Sequence, residues 1–148
     1  LNPDGSSFWA ARDTNAPEGD GNAVQTILFS NIDILKFENL RFSGLFAASS
    51  RFGGFPRDDR ILVQFRVDGG TFQDGLRFSP TGINRPLALD TEFDGTGDGP
   101  SLTRDFSSLA NPFTFNIPNG DELDLRIEVK ADGANEEVAF DCWRLETF

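Results

Sequence analysis

The chain has no histidine, no tyrosine, no methionine and a single cysteine among its 148 residues. Without histidine it can form neither a Ser–His nor a Cys–His catalytic pair, and without tyrosine it lacks the phenolic acid and base of many polysaccharide lyases. One cysteine and no histidine also exclude ordinary zinc and blue-copper sites, as well as an internal disulfide. The familiar enzyme chemistry that is left is a carboxylate pair, as in glycoside hydrolysis. We therefore expect a protein that is not an enzyme, with a carboxylate-dependent glycosidase as one alternative.

Positive charge is also scarce, since 24 acidic residues outnumber 13 basic ones and the net charge is −11. A field of this sign repels phosphate backbones, so we expect no nucleic-acid partner, while cations and neutral ligands are favoured. No apolar run approaches the roughly 20 residues that cross a bilayer, which predicts no membrane insertion. The chain opens at Leu1 without a charged or apolar leader, from which we expect a mature product or an excised domain.

Helical periodicity is nearly absent, whereas runs that alternate apolar and polar residues recur between turn-forming clusters. The clearest hairpin lies at 60–79, where Asp68-Gly69-Gly70 turns the chain. A loop rich in Gly and Asp spans 80–101. Further strands are predicted at Ser7–Arg12, Ala23–Phe29, Ile32–Leu35, Asn39–Ser49, Leu102–Ser107 and Phe113–Ile117. This pattern predicts one all-β domain over 1–148, an antiparallel β-sandwich of jelly-roll type.

The segment 121–145 is the most informative one. Apolar residues alternate with charged residues from Leu123 to Lys130, which predicts a strand with one face on a core and one face in water. An acidic turn follows, and the next strand carries Asp141 among apolar neighbours. A carboxylate in such a place needs a partner, and a metal ion is a common one.

Three acidic clusters carry the oxygen ligands that hard cations such as calcium prefer. The first lies in the early loop around Asp13 and Asp20, and the second lies in the Gly-rich loop at 90–98. The third consists of Glu136, Glu137 and Asp141. None matches the EF-hand pattern. The candidate ligands are Asp13, Asp20, Glu137 and Asp141 for one calcium site, and Asp90, Asp94 and Asp98 for a second.

The two tryptophans, Trp9 and Trp143, both lie in predicted terminal strands. Aromatic platforms stack on sugar rings, so both are candidate ligand-binding residues, although packing in the core or at its rim is the commoner role. Five arginines in strands are expected to pair with acids on neighbouring strands: Arg41, Arg66, Arg77, Arg126 and Arg144. Cys142 is expected to pack as a small buried residue, with a free thiol or an intermolecular bridge as alternatives.

Several short phrases resemble a known class of proteins. The phrase Glu-Glu-Val-Ala-Phe-Asp at 136–141 resembles the closing strand of secreted jelly-roll, concanavalin-like β-sandwich modules, MAM domains distantly among them. The phrase Phe-Trp-Ala-Ala-Arg-Asp at 8–13 resembles the opening strand of modules in large extracellular proteins of marine bacteria. Similar phrases lie at 32–34, 39–44, 67–70 and 102–106.

The resemblance implies a secreted accessory or adhesive module that is rarely catalytic. In such modules a structural calcium often ties the opening loop to the last strand, which implicates Asp13 and Asp141. Cys142 departs from the Asn or Asp that is usual there. We expect a calcium-stabilised module that recognises carbohydrate or a cell-surface or matrix partner. A self-associating subunit of an extracellular filament, sheath or shell is the main alternative.

Overall fold

A computed structural model describes residues 7–14, 24–51, 54–106 and 111–148. These residues form two antiparallel sheets that pack face to face, with no helix among them. The strands are β1 (Trp9–Arg12), β2 (Gln25–Asp33), β3 (Leu40–Ser50), β4 (Arg60–Val67), β5 (Gln73–Pro80), β6 (Leu87–Leu89), β7 (Phe113–Ile117), β8 (Glu122–Lys130) and β9 (Glu136–Thr147). The predicted all-β sandwich is confirmed.

The strand order is that of a jelly roll. One sheet runs β1-β9-β3-β7 and the other runs β2-β8-β4-β5-β6. Successive strands therefore mostly cross from one sheet to the other, and β1 and β9 lie side by side. All the strand pairings are antiparallel, as two interlocked Greek keys require.

The core lies between the sheets and is built from the inward positions of the alternating strands. In β8, the side chains of Leu123, Leu125, Ile127 and Val129 are all buried, as their spacing predicts. Phenylalanine rings join the two sheets, and the centroid of the Phe46 ring in β3 lies 4.9 Å from that of Phe78 in β5. Among the described residues, six of the sixteen phenylalanines of the chain are buried in this core, whereas five are exposed: Phe8, Phe29, Phe37, Phe93 and Phe148.

Three sequence-based expectations about strands differ from the structure. Ile32–Leu35 is not a separate strand, since Ile32 and Asp33 end β2 beyond a bulge that shifts the register after Phe29. The loop at 80–101 contains the short strand β6. Residues 102–106 are not a strand, and only Ser101 forms an isolated bridge, with Ala88. Whether a short apolar run joins a strand ladder depends on its neighbours in the folded protein, and the local sequence pattern does not contain that information.

A β-bulge in β9 shapes the rim of the core. Gly44 of β3 stands opposite both Cys142 and Trp143, because the register shifts between Ser43 and Leu45. A Cβ atom at Gly44 would lie 3.0 Å from Cδ1 of Trp143 and 3.1 Å from the Phe46 ring. The missing side chain is therefore what lets the indole ring lie across β3. No helix in the part of the chain that the structure describes is long and apolar enough to span a membrane.

Replacing Gly44 with Ala is expected to destabilise the protein by about 1–3 kcal/mol, because the packed rings must move to admit a methyl group. Gly82→Ala is the matched control, since the nearest atom to a Cβ there lies 3.4 Å away. Urea unfolding of both variants measures the difference. Equal midpoints for the two variants would contradict this account of the bulge.

Candidate metal centre

Three carboxylates meet at one end of the sandwich because of long-range strand pairing. Asp59 directly precedes β4, and Asp132 lies in the connection from β8 to β9. Glu136 is the first residue of β9. The β4–β8 ladder pairs Arg60 with Lys130, so Asp59 comes to lie beside the chain that leaves β8.

The three side chains are close together and mostly out of water. One carboxylate oxygen from each of Asp59, Asp132 and Glu136 lies within 4.8 Å of the others. Asp59 is 1% exposed and Glu136 is 7% exposed. Neither carboxylate oxygen of Asp59 has a hydrogen-bond partner. A buried carboxylate without partners is costly, so the group is protonated or it binds a cation.

The β8–β9 connection orients the Glu136 side chain. The backbone N–H of Gly133 donates a hydrogen bond of 2.7 Å to Oε2 of Glu136, and the Glu136 N–H donates to the Gly133 carbonyl at 3.0 Å. A Cβ atom at Gly133 would lie 2.5 Å from the same Oε2 atom. The bare glycine therefore lets the turn close against the carboxylate.

Lys130 supplies the nearest positive charge. Its Nζ atom lies 3.3 Å from Oδ2 of Asp132 and also contacts Oδ2 of Asp58. The hydrogen bond that Lys130 donates to Asp58 raises the pKa of Lys130, and the same bond lowers the pKa of the exposed Asp58 carboxyl. Lys130 thus partners Asp58 and Asp132, and it leaves the two oxygens of Asp59 without a donor.

Burial and neighbouring carboxylates hold Asp59 in its neutral form when no cation is present. Loss of hydration on burial is the largest effect, followed by Glu136 and then Asp132, and together they raise the pKa of Asp59 to about 8. The positive charge of Lys130 opposes this rise only in part. A divalent cation would remove the same repulsion by replacing the proton.

The opening segment is attached to this end of the molecule. Thr14 donates its N–H to the Ala131 carbonyl at 3.0 Å, and the Ala131 N–H donates to the Thr14 hydroxyl at 3.2 Å. Ala131 directly precedes Asp132, so the segment that ends β1 borders the three carboxylates. Asp13, next to Thr14, lies at the same end.

Of the four residues predicted for the first calcium site, the structure describes three, and it separates Asp141 from Asp13 and Glu137. Asp13 follows the Arg12–Glu137 pair of the β1–β9 ladder, whereas Asp141 lies beyond the Trp9–Phe140 pair at its other end. Four residues of strand, about 13 Å, separate Glu137 from Asp141. Glu137 is exposed and lies 3.5 Å from Arg12. Asp20 lies outside the described residues.

Asp141 accepts a hydrogen bond from the backbone N–H of Cys142, at 2.8 Å on Oδ1, and its buried Oδ2 has no partner. Cys142 is half-buried and adopts a positive φ of 53° in the bulge. The carboxylate of Asp141 therefore fixes its own backbone bulge, at a distance from the acidic end of the sandwich.

The predicted second cluster serves the backbone of its own loop. Asp90 is fully buried and accepts hydrogen bonds from Ser79 Oγ and from the N–H groups of Asp94 and Gly95, with Arg77 3.3 Å away. Asp98 accepts from the N–H and hydroxyl of Thr91, and these bonds lower its pKa. Donors already occupy the carboxylates of Asp90 and Asp98, so a cation would have to displace them.

The two tryptophans do come together. The rings of Trp9 and Trp143 stack on opposite sides of Phe140, with centroid distances of 4.4 Å and 4.7 Å. With Phe8 and Phe29 they line a groove of about 330 Å³ at the side of the sandwich. Trp143 also packs against Phe42 in the core, and its Nε1 atom is buried without a partner. One part of the Trp143 side chain therefore packs in the core, and another part lines the groove.

Two of the five selected arginines pair with acids on neighbouring strands, as predicted, while Arg126 contacts Glu128 of its own strand. Arg41 contacts Glu146 at 2.9 Å and Arg66 contacts Asp124 at 2.7 Å, each across a strand pair. Asn31 also donates its N–H to Asp124, and the two contacts lower the pKa of that carboxyl. These ion pairs therefore link neighbouring strands on the faces of the sheets.

Comparison with protein-family models, with curated proteins and with solved structures found no match for this chain. Any role for the acidic end of the sandwich is therefore inferred from the geometry of this chain alone. The sequence did not single out Asp59, which follows Asp58 between two arginines, or Asp132, which three residues separate from Glu136, whereas Glu136 already belonged to a predicted acidic cluster.

In the presence of a chelator, we expect the protein to lose stability as the pH rises from about 4 to 8. Asp59 is ionised above pH 4 when unfolded but keeps its proton to about pH 8 when folded, so the native state binds one proton more. The free energy of unfolding then falls by at most about 1.4 kcal/mol per pH unit. Thermal melts of wild type and Asp59→Asn test this, and parallel pH profiles would contradict it.

Proposed function

We propose that the protein is a non-catalytic, extracellular module that a bound calcium ion stabilises and that recognises carbohydrate or a cell-surface or matrix partner. The observation that carries the ion is the group of three carboxylates with the unpartnered Asp59 at its centre. The ion would join the loop before β4 to the β8–β9 connection. It would add stability by binding only the folded state.

The chemistry of the donor set favours calcium over other common metals. Three carboxylates supply only oxygen, which excludes the sulfur and imidazole ligands that zinc prefers. Magnesium usually keeps several waters in strict octahedral geometry, and a buried group such as this one suits it poorly. Calcium accepts irregular geometry and bidentate carboxylates, and backbone carbonyls of the adjoining turns would complete its shell.

Burial of the same carboxylates argues against the glycosidase alternative. Glycoside hydrolysis needs two carboxyl groups on either side of a sugar in an open cleft. Asp59 and Glu136 are almost inaccessible, and their oxygens approach one another too closely for a sugar to lie between them. A binding role needs no such cleft, so it suits this carboxylate group better.

The groove lined by Trp9 and Trp143 supports the recognition part of the proposal. Its walls are mostly aromatic rings, and the faces of such rings pack on the C–H surfaces of sugars. Its floor, Phe140, belongs to the core, so the walls are held by the packed sandwich. The groove is the place where we expect a glycan or a protein surface to bind.

Calcium is expected to raise the melting temperature of the wild-type protein and to leave that of Asp59→Asn unchanged. The gain in unfolding free energy is about 2.7 kcal/mol when the free ion reaches one hundred times its dissociation constant. In chelator at pH 8 the order reverses, because the neutral amide avoids the buried charge and the variant melts above the wild type. Differential scanning calorimetry with calcium or chelator measures both effects.

Asp121→Asn is the matched control, since Asp121 is exposed and precedes β8, at the other end of that strand from Asp132. It should keep the full calcium shift. A wild type that melts at the same temperature with calcium and with chelator would remove the ion from the proposal, and an undiminished shift in Asp59→Asn would place it elsewhere.

Binding of a glycan in the groove is expected to change the tryptophan fluorescence, because both tryptophans of the chain line it. Titration with a panel of soluble oligosaccharides measures the change, and Trp9→Ala should weaken any binding it reveals. Turnover assays on the same panel are expected to show no products. Product release would favour the glycosidase, and binding that is unaffected in Trp9→Ala would exclude the groove.

A further inference from the structure

The two sheets have four edge strands, and three of them are short. β1 has four residues, β7 has five and β6 has three. A neighbouring segment also covers β6, since Leu89 donates its N–H to the Pro100 carbonyl and Leu102 donates to the Leu87 carbonyl. β2 is an edge of nine residues, and no strand in the described ranges pairs with its outer side.

β2 also lacks most of the features that protect an edge. Natural edge strands carry lysine, proline or inward-pointing charges that prevent pairing with another chain. Residues 24–32 contain no charged residue and no proline, although the chain as a whole carries 37 charged residues, 13 basic and 24 acidic. Within the described residues, the bulge after Phe29 interrupts the edge, and there Asn31 has a φ of 58° and donates its N–H to Asp124.

The regular part of β2, before the bulge, presents large apolar side chains to solvent. Leu28 is 51% exposed and Phe29 is 44% exposed, and as adjacent strand residues they point to opposite faces of the sheet. A strand paired along this edge would therefore cover one apolar side chain on each face. Acidic and basic side chains alternate along the neighbouring strand β8 from Asp124 to Lys130. The edge therefore has no adjacent row of like charges that would repel a second copy.

We propose that β2 is a homotypic interface, at which β2 of a second copy pairs antiparallel and joins the two five-stranded sheets into one of ten strands. Antiparallel pairing of a strand with its own copy is self-complementary about a two-fold axis. Along this uncharged segment, two copies of a strongly acidic chain approach without placing like charges opposite one another. The pairing does not depend on the proposed calcium ion.

The size of the edge sets the strength of the association. Nine residues on each side bury less than the roughly 1,200–2,000 Å² of a stable protein interface. We therefore expect a reversible dimer whose population rises with protein concentration. Sedimentation velocity over a concentration series, in calcium and in chelator, should show the same monomer–dimer equilibrium in both.

Leu28→Lys should raise the dimer dissociation constant by about tenfold or more, since it replaces an exposed apolar side chain of the edge with lysine, a residue that prevents pairing at natural edges. Ile83→Lys is the matched control, because Ile83 is 70% exposed in the loop between β5 and β6 and is not part of β2. It should dimerise as the wild type does. Both variants should keep the wild-type melting temperature, which shows that each is folded.

Hydrogen exchange locates the contact. The backbone amides of 26–30 should become more protected as the protein concentration rises, while those of 81–85 should not change. A wild type that stays monomeric at every concentration would overturn the proposal, as would a Leu28→Lys dimer of wild-type strength. A dimer without added protection at 26–30 would place the interface elsewhere, and pairing of β2 only with added extended peptides would replace the second copy with a foreign partner.

Discussion

β8 and β9 each lie between two partners in opposite sheets, and only residues 131–135 connect them. β8 pairs with β2 and β4, and β9 pairs with β1 and β3. The position of these four partner strands in the two sheets therefore depends on how this short connection crosses from one sheet to the other. Its hydrogen bonds to Thr14 and to Arg51 also attach the ends of β1 and β3.

The acidic end of the sandwich follows from that crossing. Asp132 and Glu136 belong to the connection or adjoin it, and pairing of β4 with β8 adds Asp59. Folding thus gathers negative charge at the point where the sheets are joined, which opposes the compact state unless a proton or a cation is bound. A ligand at this place would act on both sheets together, because it would touch the segment that links them.

Much of the fold could be predicted from the sequence, whereas the cluster of Asp59, Asp132 and Glu136 mostly could not. The alternation from Leu123 to Lys130 is a local pattern, and the strand it predicts is the one observed. The partner predicted for Asp141 depended on two separate strands, and the register of β1 against β9 places Asp13 at the far end. Asp59 looks like an ordinary loop acid in the sequence, and its burial arises only from pairing between segments about 70 residues apart.

The bulge in β9 holds position 142 in a backbone conformation that few residue types favour. The backbone there is left-handed, a conformation in which asparagine and aspartate are several-fold enriched among residues other than glycine. Cysteine occupies the same conformation at a small cost in local energy, and the Asp141 carboxylate offsets that cost by accepting the Cys142 amide hydrogen.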